Sequence, residues 1–327
     1  MRALITGGAG FIGSHLSDLL LADGDEVFVV DDLSTGSLEN VAHLADNPDF
    51  HLVIDSVLHP AIVAELVNKV DVVYHLAAAV GVKTIVEQPV RTLRVNLEGT
   101  ETVLDACRRF GKPVLVASTS EVYGDHRTEE PLRETSRRIY GATTQKRWAY
   151  ADSKAMDEFL ALAYHEEYGL DAVIVRLFNT VGPRQTGMYG MVIPRFVERA
   201  LRGDEIEIYG DGEQTRCFCH VRDTVVALRD LMTDIERTSG EIYNIGANNQ
   251  ISILGLAEAI KELTSSDSSL TYVPFDEVYG QGIDDMLHRV PCTDKVREAI
   301  GWQPRRTLED ILGDVVGERA LTLELAA

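Results

Sequence analysis

Gly7-Gly8-Ala9-Gly10-Phe11-Ile12-Gly13 stands between a short apolar run, Arg2 to Thr6, and an amphipathic stretch, Phe11 to Leu21. A strand that turns through glycines directly into a helix narrows the possible folds sharply. Its backbone can approach a ligand closely, and the first amides of the helix point back at the turn. Glycines at 7, 10 and 13 let a pyrophosphate approach and let the helix pack on the strand. On its own the triplet fits a flexible turn; the strand before it and the helix after it make it a phosphate loop.

The same alternation continues through the first half. Apolar runs at Glu26 to Asp31, His51 to Ile54, Val70 to His75, Val114 to Ser118 and Ala172 to Phe178 read as strands. Helical patterns lie between them at Ala61 to Asn68, Val95 to Arg109 and Tyr150 to Glu167. Strands apolar on both faces and separated by helices predict a parallel sheet covered on both sides. The fold class expected is therefore α/β, a Rossmann-type doubly wound parallel sheet with a smaller C-terminal α/β substrate lobe. Residues 1–178 form the expected NAD-binding domain. Asp223 to Met232 and Glu241 to Ile245, within about 217–247, are expected to return to its sheet. Residues 179–216 and 248–327 form the expected lobe, with helices near Val192 to Leu201, Ile253 to Leu263 and Leu308 to Val316. Short strands fall at Glu205 to Tyr209 and Leu270 to Val273, and Leu321 to Ala327 reads as a frayed end.

Composition excludes several classes. A formal net charge of −21 repels nucleic acid and anionic membrane surfaces, though a few local arginines can still hold a small anion. No apolar run approaches the roughly 20 residues that span a bilayer, and Met1-Arg2 leads straight into a short strand rather than a secretory core. Cys107, Cys217, Cys219 and Cys292 show no C-x-x-C spacing, and Cys217-Phe218-Cys219-His220 lacks a second ligand cluster, so no metal is expected. The chain reads as cytoplasmic with reduced thiols.

Strand two ends in Asp31-Asp32, about 20 residues past the glycines, where an acidic side chain takes ribose hydroxyls. No Arg or Lys between Asp31 and Asn40 awaits a 2′-phosphate, so NAD is favoured over NADP, with Asp31 as its ribose partner. Asp55 is placed either to reach the adenine edge or to cap its loop. Tyr150 and Lys154, at i and i+4, share one helical face. A nearby ammonium favours the phenolate, whose pKa must fall from about 10 for base work near neutrality. Tyr-x-x-x-Lys alone is common on helices; with the glycine loop and Ser118-Thr119 it becomes specific.

Taken together, the GGAGFIG loop, Asp31-Asp32, His75-Leu76-Ala77-Ala78, Asn96 in VNLEGT, STSEVYG (118–124), Tyr150/Lys154, RLFNTVGPR (176–184) and YGDGEQTR (209–216) resemble the extended short-chain dehydrogenase/reductases that act on nucleotide sugars. The resemblance covers nearly the whole chain. It implies NAD held by Gly7, Gly10, Phe11, Ile12, Gly13, Asp31, Asp32, Asp55, Leu76, Ala77, Ala78, Asn96, Tyr150 and Lys154. It implies oxidation at sugar C4, with Tyr150 as base, Thr119 or Ser118 orienting the hydroxyl, and Lys154 on the nicotinamide ribose. Val82, Asn179, Arg184, Arg195, Arg216 and Arg289 are the implied substrate contacts. Relatives commonly dimerise through the helices here at Val95 to Arg109 and Tyr150 to Glu167.

Ser120-Glu121 further resembles the UDP-glucuronate decarboxylases rather than the 4-epimerases, which carry a small or hydroxyl residue at the Glu position, or the hexose 4,6-dehydratases, which carry Asp-Glu; GDP-mannose dehydratases share the Glu. His288-Arg289-Val290-Pro291, followed by Gly301-Trp302-Gln303-Pro304, resembles the decarboxylases' arginine segment. As a residue type, Arg289 in an acidic chain reads first as a surface arginine. The resemblance thus implies C4 oxidation of UDP-glucuronic acid to a β-keto acid and loss of CO2. Ala78 to Lys83 and Lys146-Arg147-Trp148 are most similar to the branch that releases a UDP-4-keto-pentose rather than UDP-xylose. Glu121 could place a water or repel the carboxylate, and Arg289 could bind that carboxylate or supply a proton. A 4-epimerase or 4,6-dehydratase on the same scaffold is the alternative, and a non-catalytic NAD(H)-binding regulator is the alternative from another class. Arg127 to Gln145 matches neither branch.

Overall fold

A computed structural model describes the chain except residues 81–87, 127–129, 188–190, 275–276, 279–288 and 327. Arg2–Thr6 forms β1, and the chain turns at once into helix α1, Phe11–Ala22. Strands β2 (Glu26–Asp31) and β3 (Phe50–Ile54) follow, then α2 (Pro60–Lys69) and β4 (Val72–His75). Helix α3 (Pro89–Phe110), strand β5 (Val114–Thr119), helix α4 (Arg147–Tyr168) and β6 (Ala172–Leu177) complete the first half. Helix α3 begins six residues before the expected Val95, because Pro89 suits a first helical turn that has no partner for an N–H anyway.

The remaining elements divide between the sheet and a smaller lobe. They are β7 (Thr180–Val181), α5 (Val192–Arg202), β8 (Ile206–Tyr209), β9 (Thr215–Cys217), β10 (Cys219–His220) and α6 (Val221–Thr233). After them come β11 (Glu241–Ile245), β12 (Gln250–Ser252), α7 (Ile253–Thr264), β13 (Leu270–Val273), α8 (Asp294–Ile300) and α9 (Leu308–Ala326). Seven strands run parallel in the order β3-β2-β1-β4-β5-β6-β11. Glu241 to Ile245 does join this sheet beside β6. Asp223 to Met232 does not: it is the middle of α6, which covers one face next to α1.

Two apolar layers sandwich the sheet. Leu16 and Leu20 of α1 with Val225, Leu228 and Leu231 of α6 bury one face, and Val63, Leu66, Leu104 and Ala161 from α2, α3 and α4 bury the other. A separate cluster, including Ile193, Phe196, Ile208, Leu256 and Ile311, makes the core of the lobe. The strand order reverses between β1 and β4, so a crevice opens beyond their carboxyl ends, where ligands bind in sheets of this kind. The expected frayed end is corrected by α9, which stays helical to Ala326. Its Glu318 accepts a hydrogen bond from the Arg184 amide at 2.7 Å, and Arg319 Nη2 donates to the Gln185 carbonyl at 2.6 Å.

Asp223 fastens the last part of the chain to the sheet layer. Its carboxylate accepts from the amides of Arg305 and Arg306 at 2.9 and 2.8 Å and from the Arg306 guanidinium, while its carbonyl accepts from Trp302 Nε1. Truncation would strand buried donors, which costs more than the bonds themselves. Asp223→Ala is expected to lower stability by about 3 kcal/mol and Asp223→Asn by clearly less, read from denaturant midpoints.

Two buried histidines give stability a pH dependence. Burial pushes His75 down from 6.5 to about 3 and His15 to about 4, so both stay neutral in the fold. The unfolded chain takes up their protons below about 6.5 and the folded one does not. Their stability is thus fully present above 6.5 and is lost as pH falls toward 4. The melting temperature is expected to drop across that window, and His75→Asn to drop less steeply; parallel curves would exclude His75 as a source.

Candidate active site

The crevice widens into a cavity of about 1110 Å³ bounded by the glycine loop, the ends of β2, β4, β5 and β6, and the lobe. At its floor Gly7 has φ +72°, and a Cβ there would lie 2.9 Å from the Ala77 backbone, so the turns after β1 and β4 touch. A Cβ on Gly13 would meet the Gly7 carbonyl at 2.3 Å. Such bare backbone, opening onto the cavity beside the start of α1, is a cradle that fits a pyrophosphate.

Asp31, at the end of β2, is buried, and its two oxygens accept from the Ala9 and Leu33 amides at 3.0 and 2.8 Å. Burial raises its pKa while those amides lower it. A carboxylate has about four acceptor positions, so capacity for ribose hydroxyls remains. Asp32 faces Arg91 at 3.6 Å. Asp55 caps its own loop through the Ser56 amide and His59, and it also borders the cavity. Phe11, Ile12, Leu76, Ala77 and Ala78 border the cavity too. These features suit NAD.

Asn96 is placed differently. It is fully buried, its Oδ1 accepts from the Ala79 amide at 2.9 Å, and its Nδ2 donates to Ser153 Oγ at 3.0 Å. It ties the turn after β4 to α4, behind the cavity wall. Val82 lies outside the described residues, as do Lys83, Arg127 and His288.

Thr119, Ser120 and Glu121 leave β5 through a 3-10 turn, Ser120–Tyr123, in which the Glu121 amide donates to Thr119 Oγ1 at 3.2 Å. Tyr150 and Lys154 face them from α4. The protein's own groups raise the Tyr150 pKa instead of lowering it: burial is the largest cause, followed by the charges of Glu121 and Asp157. Lys154 does not offset this, because its Nζ donates to buried Asp157 Oδ2 at 2.6 Å. Ser118 borders the cavity, and its Oγ donates to buried Glu158 at 2.5 Å.

Glu121 and Arg289, 168 residues apart, meet here. Arg289 Nη1 lies 4.0 Å from Glu121 Oε1, and Arg289 Nη2 donates to Asn179 Oδ1 at 2.7 Å. Arg289 is therefore not a surface arginine: its side chain is 11% exposed. Asn179 takes φ +23° and donates to the Cys217 carbonyl at 2.9 Å, which fixes it between the lobe and Arg289.

Toward the lobe, Arg195 stacks on Tyr209 at 3.8 Å, and Arg216 Nη1 donates to the Thr215 carbonyl at 2.8 Å. Arg184, with φ +65°, pairs with Asp18 at 2.8 Å. All three border the cavity, as do Gln185, Gln214, Glu318, Arg319 and Thr322, which the sequence reading passed over. Glu318 and Thr322 are spaced i, i+4, a signal that reading the tail as frayed concealed. Among the described residues no cluster of His, Cys, Asp and Glu could hold a metal ion.

Residues 4–315 match the family model described as GDP-mannose 4,6 dehydratase. Over 96% of each chain the protein is 42% identical to a UDP-N-acetyl-alpha-D-glucosaminuronate decarboxylase of Bacillus cytotoxicus. It is 37% identical to UDP-glucuronic acid decarboxylase 1 of Arabidopsis thaliana, over 97% of this chain and 69% of that one. The structure of a UDP-glucuronic acid 4-epimerase from Bacillus cereus, in complex with UDP-glucuronic acid and NAD, superposes with a TM-score of 0.88 at 26% identity, over 98% of this chain and 100% of that one. The chain belongs to the GDP-mannose 4,6 dehydratase family, within the NAD-dependent epimerases and dehydratases.

Proposed function

We propose that the protein is an NAD-dependent decarboxylase of UDP-glucuronic acid, acting through C4 oxidation. The observation that carries this reading is the Glu121–Arg289 pair, 4.0 Å apart beside Tyr150. NAD, held by the glycine loop, Asp31 and Lys154, supplies a hydride acceptor and a positive charge that opposes the raised Tyr150 pKa. Tyr150 takes the 4-hydroxyl proton, and Thr119 orients that hydroxyl. The ketone at C4 makes the C6 carboxylate that of a β-keto acid. When the C5–C6 bond breaks, CO2 leaves and the electron pair becomes an enolate, whose oxygen accepts a hydrogen bond from the Tyr150 phenol. Arg289 holds the carboxylate out of the ring plane, Glu121 disfavours negative charge at C6 relative to the enolate, whose charge lies on the C4 oxygen beside Tyr150, and a water then protonates C5 as the enolate returns to the ketone. Asn179, Arg184, Arg195 and Arg216 hold the nucleotide diphosphate.

The Bacillus cytotoxicus relative favours a second reading, in which the sugar carries an acetamido group at C2. The chemistry at C4, C5 and C6 is the same, so parallel assays with the two UDP-uronates separate the readings. The four buried, free cysteines fit a cytoplasmic protein. We also propose a homodimer through α3 and α4, supported by Met156 and Phe159, which are 54% and 59% exposed on α4.

The purified protein with NAD is expected to release CO2 from UDP-glucuronate. Release of none, with interconversion of UDP-glucose and UDP-galactose, would make it an epimerase instead. Glu121→Gln is expected to lower turnover at least about tenfold, roughly 1.4 kcal/mol of barrier, with nucleotide-sugar binding little changed. Wild-type turnover in that variant would return Glu121 to the status of a loop residue. Sedimentation is expected to give a dimer that Phe159→Glu weakens; a monomer in the wild type at micromolar concentration would exclude it.

A further inference from the structure

The pairing of Glu121 with Arg289 needs two chain segments that have no covalent reason to lie together. The 3-10 turn that carries Glu121 ends at Tyr123, whose hydroxyl donates to Asn244 Oδ1 at 2.6 Å. Asn244, on edge strand β11, is fully buried. Its Nδ2 donates to two carbonyls, Leu132 at 2.8 Å and Cys292 at 3.2 Å, and its amide donates to Glu134 Oε1 at 2.9 Å. The Leu132 amide in turn donates to the Val290 carbonyl, and the Cys292 amide to the Leu132 carbonyl, both at 2.8 Å. Val290 is the residue next to Arg289. One amide side chain therefore joins the turn of Glu121, the 132–134 segment and the backbone that carries Arg289.

The other side of the turn is closed as well. The Ile139 amide donates to the Tyr123 carbonyl at 2.9 Å, and Tyr140 Oη donates to the Val122 carbonyl at 2.8 Å. Gly124, at φ +77°, is required there: a Cβ would sit 1.9 Å from the Ile139 carbonyl oxygen. None of Tyr123, Asn244 or Leu132 borders the cavity. By contrast, Tyr150 and Lys154 are carried by α4 and lie outside this set of bonds.

From this arrangement we infer that Asn244 and Tyr123 are positioning residues for decarboxylation: they set the spacing of Glu121 and Arg289 and leave C4 oxidation to a separately supported Tyr150 and Lys154. The inference rests on the decarboxylase reading above. Its chemical consequence is a split between two steps. Loss of the Tyr123 hydroxyl frees the Glu121 turn to shift against Arg289, so the C5–C6 bond breaks more slowly. Removal of the hydride and the hydroxyl proton from C4 is preserved.

Tyr123→Phe is the decisive variant, since it keeps the ring against Arg176 and Phe178, at 4.7 and 6.0 Å, and removes only the hydroxyl. In single turnover with UDP-glucuronate, C4 oxidation is read from reduced-nicotinamide absorbance and decarboxylation from released CO2. Oxidation is expected within about twofold of wild type and CO2 release to be at least about tenfold slower, with UDP affinity unchanged. Asn244→Ser, which cannot span three partners, is expected to show the same split. Equal slowing of both steps together with a lowered melting temperature overturns the inference in favour of a merely structural network. Wild-type rates for both steps in Tyr123→Phe overturn it too. If the wild type itself releases no CO2, the decarboxylase reading falls first, and this inference falls with it.

Discussion

A buried ion pair supports the whole catalytic end of the cleft. Arg176 on β6 donates through Nε and Nη2 to the two oxygens of Glu158 on α4, at 2.9 and 2.7 Å, and both side chains are almost fully buried. Such a pair gains little net stability, but losing one partner leaves an uncompensated charge in the interior, typically about 3–5 kcal/mol. It therefore acts as a constraint: α4 can occupy one height on the sheet and no other. That height sets Tyr150 and Lys154 against β5, because Glu158 also takes the Ser118 hydroxyl and Ser118 pairs with Arg176 in the strand register. Arg176 further donates to the Glu134 carbonyl and lies over the Tyr123 ring. Arg176 thus borders the Asn244 network, but the bidentate bond that holds α4 runs to Glu158 and not through Asn244.

Where function was written in local pattern, the sequence was readable. The glycine loop, Asp31 and the Tyr150/Lys154 spacing each declare themselves within a few residues, because a turn, a strand end and a helix face are local objects. Glu121 and Arg289 were readable separately, through their resemblance to a known branch, but their meeting at 4.0 Å was not. The parts that escaped share one property. Asn244, Glu158 and Glu134 act through partners up to 121 residues away, and a buried polar residue leaves no periodicity by which it can be recognised. The end of α9 escaped for a related reason: its first turns carry the buried Ile311, Leu312 and Val315, but beyond them Glu318 and Arg319 are held by the distant Arg184 and Gln185.

The segment that matched no branch, Arg127 to Gln145, belongs to this same account through its described residues, 130–145. Its Leu132 bridges to Pro291 and its Ile139 to Gly124, so it clasps the turn of Glu121 from one side and the Arg289 backbone from the other. Tyr140 stacks on Trp148 at 5.2 Å, which anchors the segment to the first turn of α4 just before Tyr150. Residues of variable pattern can do this work because the bonds they make are largely to backbone, which any sequence supplies.

The raised Tyr150 pKa bears on which reaction the site favours. Glu121 is one of its causes, so the carboxylate works against proton removal from a sugar hydroxyl. An enzyme whose task ended with that removal, or with its reversal on the other face of the sugar, would do better with a neutral residue at 121. The carboxylate is justified only if a later step needs it more. On the proposed reading it has such a step beside Arg289: when CO2 leaves, the substrate's negative charge moves from C6 to the enolate oxygen at C4, next to the Tyr150 phenol, and the repulsion between Glu121 and C6 is relieved.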